Sequence, residues 1–335
     1  MRVFTCGHCG QVVFFGDHLC LRCQSPLGYD HERGAVVALT EVADGRLVDL
    51  TSTTRTWQRC GGQHTTGCNW LVPQFSQAMC ASCSLTRTRP ADTDAAGMAE
   101  FVHAEHAKRR LLFQLRELGL PVQPRDEQTG TGLAFDLLSS ADTKVITGHD
   151  NGIITLDLAE ADPEHRERMR RQLGEPYRTL LGHFRHEIGH YFWSVLVSEG
   201  DVLDACRTIF GDDRLDYGQA VASYYAAAED SSGNWTSNHI SQYATMHPYE
   251  DWAESFAHYL HIQDTLQTAT SFSLGTTYDG GSFGEMIDRW LELTLGLNEV
   301  NRSMGRAPLY PFVIAPAVIR KLAFVDRVIR QQAGR

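Results

Sequence analysis

Apolar and polar positions follow a strand-like pattern in the first half of the chain and a helical pattern in the second. Apolar runs bounded by turn residues predict strands at residues 35–39, 46–50, 133–138, 144–147 and 152–158. A helical spacing of apolar residues predicts a helix from 98 to 118 that ends before Gly119, and the pattern from residue 163 onward is mostly helical. This order predicts an α+β protein with a small sheet and a mostly helical C-terminal part.

The composition is that of an ordinary globular protein. The chain has 335 residues, of which 42% are hydrophobic and 21% charged, and this excludes the disordered and fibrous classes. No apolar stretch approaches the roughly 18 residues of a membrane span. The N-terminal residues lack the apolar segment of a secretory signal. We therefore expect a cytoplasmic protein with no membrane contact, in which thiols stay reduced.

Eight of the nine cysteines lie in the first 83 residues, a clustering that indicates metal sites rather than disulfides in a reduced compartment. Cys6 and Cys9 form one C-x2-C knuckle, and Cys20 and Cys23 form another. Together they offer the four thiolates that a structural zinc ion prefers, while an iron centre with the same geometry is the alternative. We expect residues 11–15 to form a short hairpin between the two knuckles.

The second cysteine set has only one tight knuckle, at Cys80 and Cys83. Cys60 and Cys68 can join it if the loop between them, which holds three glycines, folds back. We favour a zinc site of four cysteines here, and the alternative is that His64 replaces one of them.

These sites divide the chain into four predicted parts: a first zinc ribbon at 1–30, a connector at 31–59, a second ribbon at 60–90 and one large domain at 91–335. The ribbons either only fold their segments or also dock a protein partner. Nucleic acid is not expected, because such modules are strongly basic. The chain carries a net charge of −11, and its first 90 residues hold eight arginines, no lysine and six carboxylates.

Residues 186–190, HEIGH, match the H-E-x-x-H pattern. On a helix, residues four apart share a face, so His186 and His190 can bind one zinc ion. Glu187 then lies where it can take a proton from water as a general base. The neighbouring residues are apolar, and a buried histidine and glutamate need a partner such as a metal.

A catalytic zinc site needs a third protein ligand. Pro248 suits the first turn of a helix on which Glu250 and Glu254 lie four residues apart. Their carboxylates repel unless a cation lies nearby, which favours one as the zinc ligand and the other as the acceptor for a ligand histidine. The pattern alone leaves open which glutamate does which.

The chain resembles bacterial zinc-binding metallopeptidases that carry an N-terminal zinc-ribbon region. The resemblance covers nearly the whole chain and rests on the cysteine knuckles and on four segments: GCNWLVP at 67–73, AKRRLL at 107–112, GHFRHEIGHY at 182–191 and EDWAE at 250–254. It implies a zincin-like domain behind the two ribbons, with one catalytic and two structural zinc ions. The implied reaction is hydrolysis of a peptide or protein substrate by a zinc-bound water that Glu187 activates.

A looser similarity, to lethal-factor-like and proline-specific zinc peptidases, suggests further roles. In those enzymes a tyrosine lies seven residues before the glutamate ligand and a second acid lies four residues after it. Tyr243, Glu250 and Glu254 reproduce this spacing. The similarity implies Glu250 as the ligand and Tyr243 as the group that stabilises the oxyanion. A rival similarity, to the ligand segment of zinc aminopeptidases, implies Glu254 as the ligand, and of the two we favour Glu250.

Three expectations complete the sequence-based picture. The strand at 152–158 is a candidate edge strand for an extended substrate, although an internal strand fits its pattern nearly as well. Cys206 has apolar neighbours and is expected to be a buried, unreactive thiol. The alternative to a peptidase is a zinc-ribbon interaction protein whose H-E-x-x-H zinc is only structural.

Overall fold

The protein is described here from a computed structural model. The described residues are 1–42, 45–141, 144–172, 175, 177–226 and 235–334, without the side chains of 53 and 54. They group into two compact units. The first comprises Met1–Gln114, Val122–Thr147 and Thr155–Arg166, and the second comprises Leu115–Pro121, Gly148–Ile154 and Glu167–Arg335.

The strands are short and lie almost entirely in the first half of the chain. They are β1 Phe4–Thr5, β2 Val12–Val13, β3 Leu27–Asp30, β4 Ala35–Glu41, β5 Leu47–Asp49, β6 Ser52–Arg59, β7 Leu71–Pro73, β8 Thr86–Thr88, β9 Ala134–Leu138, β10 Gly148–Asp150 and β11 Ile153–Asp157. The helices are α1 Gln63–Thr66, α2 Ala95–Glu117, α3 Pro163–Gln172, α4 Leu180–Leu196, α5 Gly200–Phe210, α6 Tyr217–Ala226, α7 Pro248–Ser271, α8 Phe283–Ser303 and α9 Pro316–Gln332. The predicted α+β class is confirmed.

The first unit begins with a hairpin that differs from the predicted one. β1 pairs with β2 in antiparallel register, with Phe4 opposite Val13. The expected hairpin within residues 11–15 is therefore wrong, because this segment supplies one strand of a hairpin whose turn is the first cysteine knuckle. An isolated bridge between Leu19 and Pro26 closes the second knuckle in the same way.

A five-stranded sheet follows, in the order β3-β4-β5-β6-β7, and its described pairs are antiparallel. The strands predicted at 35–39 and 46–50 are confirmed as β4 and β5, whereas β6 was missed because its sequence, STTRTWQR, is mostly polar. Part of the predicted turn, Asp44, lies outside the described residues. One face of the sheet buries a cluster of apolar side chains: Val37, Leu39, Leu47, Trp57 and Leu71.

The second sheet has the order β10-β11-β9-β8, in which β8 and β9 are parallel. The strands predicted at 133–138 and 152–158 are confirmed as β9 and β11. The predicted strand at 144–147 is wrong, since these residues are irregular and the strand begins at Gly148. The turn before β11 is confirmed, with Asn151 and Gly152 both in the left-handed region that such a turn requires. Because β11 has partners on both sides, the expectation that it is an edge strand is wrong.

The long helix predicted at 98–118 is confirmed as α2. It ends just before Gly119, which adopts a left-handed conformation.

The core of the second unit is the contact between α4 and α7. Phe192 of α4 stacks on Phe256 of α7, with ring centroids 5.4 Å apart. At Gly189 a Cβ atom would lie only 3.0 Å from the Cα of Ala253, so glycine allows the two helices to approach closely. Among the described helices, none is long and apolar enough to cross a membrane.

Candidate metal centres

The first four cysteines converge at the N-terminal end of the chain. The Sγ atoms of Cys6 and Cys23 are 3.7 Å apart, and those of Cys9 and Cys20 are 3.6 Å apart. Zinc–sulfur bonds of about 2.3 Å in a tetrahedral site place sulfur atoms about 3.8 Å from one another. The four thiols therefore fit a zinc ion. His8 lies outside this group and bonds the hydroxyl of Ser25 at 3.0 Å.

The second group consists of Cys60, Cys68, Cys80 and Cys83, whose Sγ atoms lie within 4.8 Å of one another. The pair formed by Cys68 and Cys80 is separated by 3.7 Å. The loop after Cys60 folds back as the short helix α1, which ends at a left-handed Gly67. His64 is exposed on α1 and does not belong to the group, so the geometry favours the four-cysteine alternative over a histidine ligand.

The H-E-x-x-H pattern lies on α4. The side chain of Thr179 begins this helix by accepting a hydrogen bond from the backbone of Gly182 at 3.0 Å. One helical turn brings His186 and His190 onto the same face, where their Nε2 atoms are 3.2 Å apart. Both rings lie largely out of solvent.

Glu250 completes this group from the first turn of α7. His247 caps that helix with its Nδ1 atom, and Pro248 occupies the first turn as predicted. The Oε2 atom of Glu250 lies 2.9 Å from Nε2 of His186 and 3.4 Å from Nε2 of His190. Glu250 is almost completely buried.

The arrangement of these three donors fits zinc. Donor atoms in a tetrahedral site with bonds of about 2.0–2.1 Å are about 3.3 Å apart. The observed separations bracket this value, and the two nitrogens and the carboxylate oxygen are of the types that zinc prefers. Glu187 follows His186 on α4, and its Oε2 atom is buried without a hydrogen-bond partner among the described residues, a costly state for a carboxylate that has no nearby cation.

Glu254 lies on the other side of the His186 ring, with its Oε1 atom 2.8 Å from Nδ1. Of the two glutamates that the sequence left open, Glu250 therefore faces the Nε2 atoms of both histidines and Glu254 does not. Burial lowers the pKa of His186, but the hydrogen bonds with the two glutamates outweigh it and hold this pKa well above its ordinary value.

Tyr243 lies in a single turn of 3-10 helix just before α7. Its ring centroid is 5.7 Å from that of His186. Burial, together with the negative charge of Glu250, raises the pKa of Tyr243 above its ordinary value. The hydroxyl group therefore keeps its proton at neutral pH and can donate a hydrogen bond near His186, one of the three candidate metal ligands.

Comparison with known proteins identifies the family of the chain. Residues 97–328, more than half of the chain, match the family described as "Putative zinc-binding metallo-peptidase". The chain belongs to this metallopeptidase family. Residues 3–94 match a zinc-ribbon domain, so the resemblance seen in the sequence is confirmed.

The metallopeptidase match contains His186, His190 and Glu250, and the ribbon match contains all eight N-terminal cysteines. Uncharacterized proteins of Mycobacterium tuberculosis and Mycobacterium bovis are each 47% identical over 343 residues, covering 99% of this chain and 96% of theirs. No solved structure matches the chain.

Three further side chains beside the candidate metal centre were not predicted from the sequence. The hydroxyl of Tyr217 donates a hydrogen bond of 2.7 Å to Oε1 of Glu250. The ring centroid of Tyr249 lies 4.2 Å from that of His190. The ring of His149, on β10, also stacks on His190, with centroids 6.2 Å apart. Tyr249 could have been found as the neighbour of Glu250, whereas the other two are distant in sequence and carry no recognisable pattern.

The AKRRLL segment lies on α2, where buried charged side chains approach the second cysteine group. Lys108 and Arg109 are buried and both pair with the carboxylate of Glu105, at 2.5 and 3.6 Å. Arg109 also donates to the backbone oxygen of Thr66 at the end of α1, at 3.0 Å. The thiol of Cys83 lies 3.9 Å from Glu105. Through these contacts, the buried charged side chains connect α2 to α1 and to Cys83.

Proposed function

We propose that this protein is a zinc-dependent peptidase that hydrolyses peptide bonds with Glu187 as general base. The observation that carries the proposal is the buried Oε2 atom of Glu187, which has no hydrogen-bond partner among the described residues and lies on the helix that carries His186 and His190. A purely structural zinc site has no need of such a carboxylate, whereas a hydrolytic site requires one. Membership in the metallopeptidase family supports the same conclusion.

The metal-binding role falls to His186, His190 and Glu250. Zinc, when bound there, supplies Lewis acidity toward the substrate carbonyl. Glu187 accepts a proton from the attacking water and passes it to the leaving amine. Tyr243 donates a hydrogen bond to the oxygen on which negative charge develops. The two cysteine groups hold structural zinc, which gives three zinc ions per chain.

The change Glu187→Gln tests this function, because glutamine has nearly the same shape but cannot accept the proton. Hydrolysis of a peptide library should fall by about 10²–10⁴-fold. Zinc content, measured by elemental analysis of the full chain, should stay at three ions. The exposed Glu199, changed to Gln, is the matched control and should leave activity intact. Equal turnover in Glu187→Gln and the wild type would contradict the mechanism.

Protein docking by the first ribbon is a second candidate function, favoured by its exposed apolar side chains. The side chains of Phe14 and Leu21 are 58% and 84% exposed, and exposed apolar surface is a common feature of protein interaction sites. We propose that this surface captures a protein substrate. Leu21→Ser should then raise KM for a protein substrate and leave kcat unchanged, and short peptides should be hydrolysed as before. Equal KM values for the protein substrate would exclude this role.

A further inference from the structure

Helix α6 is loosely embedded and meets the metal centre through two tyrosines. None of its described residues is buried, and its sequence, YGQAVASYYA, carries no charge. At its first residue, the hydroxyl of Tyr217 donates to Oε1 of Glu250 at 2.7 Å. About two turns further along the helix, the ring of Tyr224 lies 5.9 Å from that of Tyr243, edge to face. The helix therefore reaches two of the side chains that the proposed reaction uses.

The position of Tyr217 is fixed by the residue that begins α7. Nδ1 of His247 accepts the backbone N–H of Tyr249 at 3.1 Å, so in the neutral ring the proton lies on Nε2. That nitrogen donates to the backbone oxygen of Leu215 at 3.1 Å, just before α6. The ring of Tyr217 packs edge-on against His247 with centroids 5.4 Å apart. One histidine thus holds both the start of the Glu250 helix and the start of α6.

The two oxygens of Glu250 consequently have different neighbours. Oε2 faces the Nε2 atoms of His186 and His190, whereas Oε1 accepts the hydroxyl of Tyr217. The hydrogen bond at Oε1 restricts rotation of the Glu250 carboxylate about its Cγ–Cδ bond. Glu250 is buried, and Tyr217 is the partner that the structure gives to Oε1.

We propose that Tyr217 is a positioning residue that holds Glu250 in the orientation that binds zinc. The inference rests on the proposed function, since it takes Glu250 as a zinc ligand. Partners of this kind typically contribute about 10–100-fold to metal affinity. Tyr217→Phe removes only the hydroxyl, and it should weaken binding of the zinc held by His186, His190 and Glu250 by that factor.

The experiment uses the full chain and needs no substrate. Zinc release to a competing chelator is followed for the wild type, for Tyr217→Phe and for Tyr225→Phe, a matched control on the same helix whose side chain is 56% exposed. We expect one of the three zinc ions to be released more readily in Tyr217→Phe and none in the control. The two cysteine-bound ions serve as internal standards. Unchanged affinity in Tyr217→Phe overturns the proposal, and so does an equal weakening at all three sites, which indicates a general loss of structure.

A double-mutant comparison shows whether the hydroxyl acts through Glu250. In a Glu250→Ala background, which lacks the acceptor, Tyr217→Phe should cause no further loss of affinity. The same fold-change in both backgrounds overturns the proposal. A failure of the proposed peptidase function would look different, because zinc affinity would respond as described while no peptide was hydrolysed.

Discussion

Nδ1 of His186 lies 2.8 Å from Oε1 of Glu254, while Nε2 of the same ring lies 2.9 Å from Oε2 of Glu250. Two carboxylates one helical turn apart therefore contact opposite sides of one imidazole. When a metal ion binds at Nε2, the contact with Glu254 keeps the remaining ring proton on Nδ1 and so directs the Nε2 lone pair to the metal. This arrangement makes the two glutamates unequal, although they share a helix face.

The first prediction compares the two glutamates directly. Glu254→Ala should weaken zinc binding by about 10–100-fold, because it removes only the group that orients His186. Glu250→Ala should weaken binding further, because it removes a proposed ligand. Competition with a chelator measures both affinities. If Glu254→Ala had the larger effect, Glu254 would be the ligand, as the alternative similarity implies.

The second prediction concerns Tyr243. Removing its hydroxyl in Tyr243→Phe should lower kcat by about 10²–10³-fold, the usual effect of losing one oxyanion donor. Three zinc ions should remain bound, because the tyrosine is not a proposed ligand. Steady-state kinetics and elemental analysis of the same preparation measure both quantities. A variant with normal kcat would exclude Tyr243 from the reaction.

The third prediction concerns the buried charges on α2. Glu105→Leu leaves Lys108 and Arg109 buried without their carboxylate partner, so the free energy of unfolding should fall by about 3–5 kcal/mol. Glu299→Leu, at the exposed pair with Arg302, is the control and should cost under about 1 kcal/mol. Urea unfolding of zinc-loaded protein measures the difference. Equal free energies of unfolding for the two variants would contradict the expectation that the buried Glu105 carboxylate stabilises the fold.

The fourth prediction concerns Cys206, which is buried in α5. Burial raises the pKa of its thiol well above the ordinary value of about 8.5, so the reactive thiolate does not form as pH rises to 9. In zinc-loaded protein, alkylation at pH 9 followed by mass spectrometry should leave Cys206 unmodified. Denaturant with a chelator should make all nine cysteines reactive. Labelling of native Cys206 at the rate of a free thiol would contradict its burial.

Features with a short-range physical cause were predictable from the sequence. The C-x2-C spacing brings two thiols to one ion, and these knuckles take part in both cysteine groups. Helical periodicity predicted α2 to within three residues, and Pro248 marked the start of α7. Asn151 and Gly152 predicted a hairpin turn because they tolerate the left-handed region. In each case residues close in sequence decide the geometry.

Other features depended on how distant elements meet. The sequence placed Glu250 and Glu254 on one helix face, but their roles follow from the offset between α4 and α7, which pack closely where Gly189 meets Ala253. The pairing partners of β11 and the contact between Tyr217 and Glu250 likewise join segments with no sequence pattern in common. The sequence by itself thus determined which side chains could bind zinc. Only the tertiary structure decided which of them face the same point, because helix packing sets distances that periodicity does not contain.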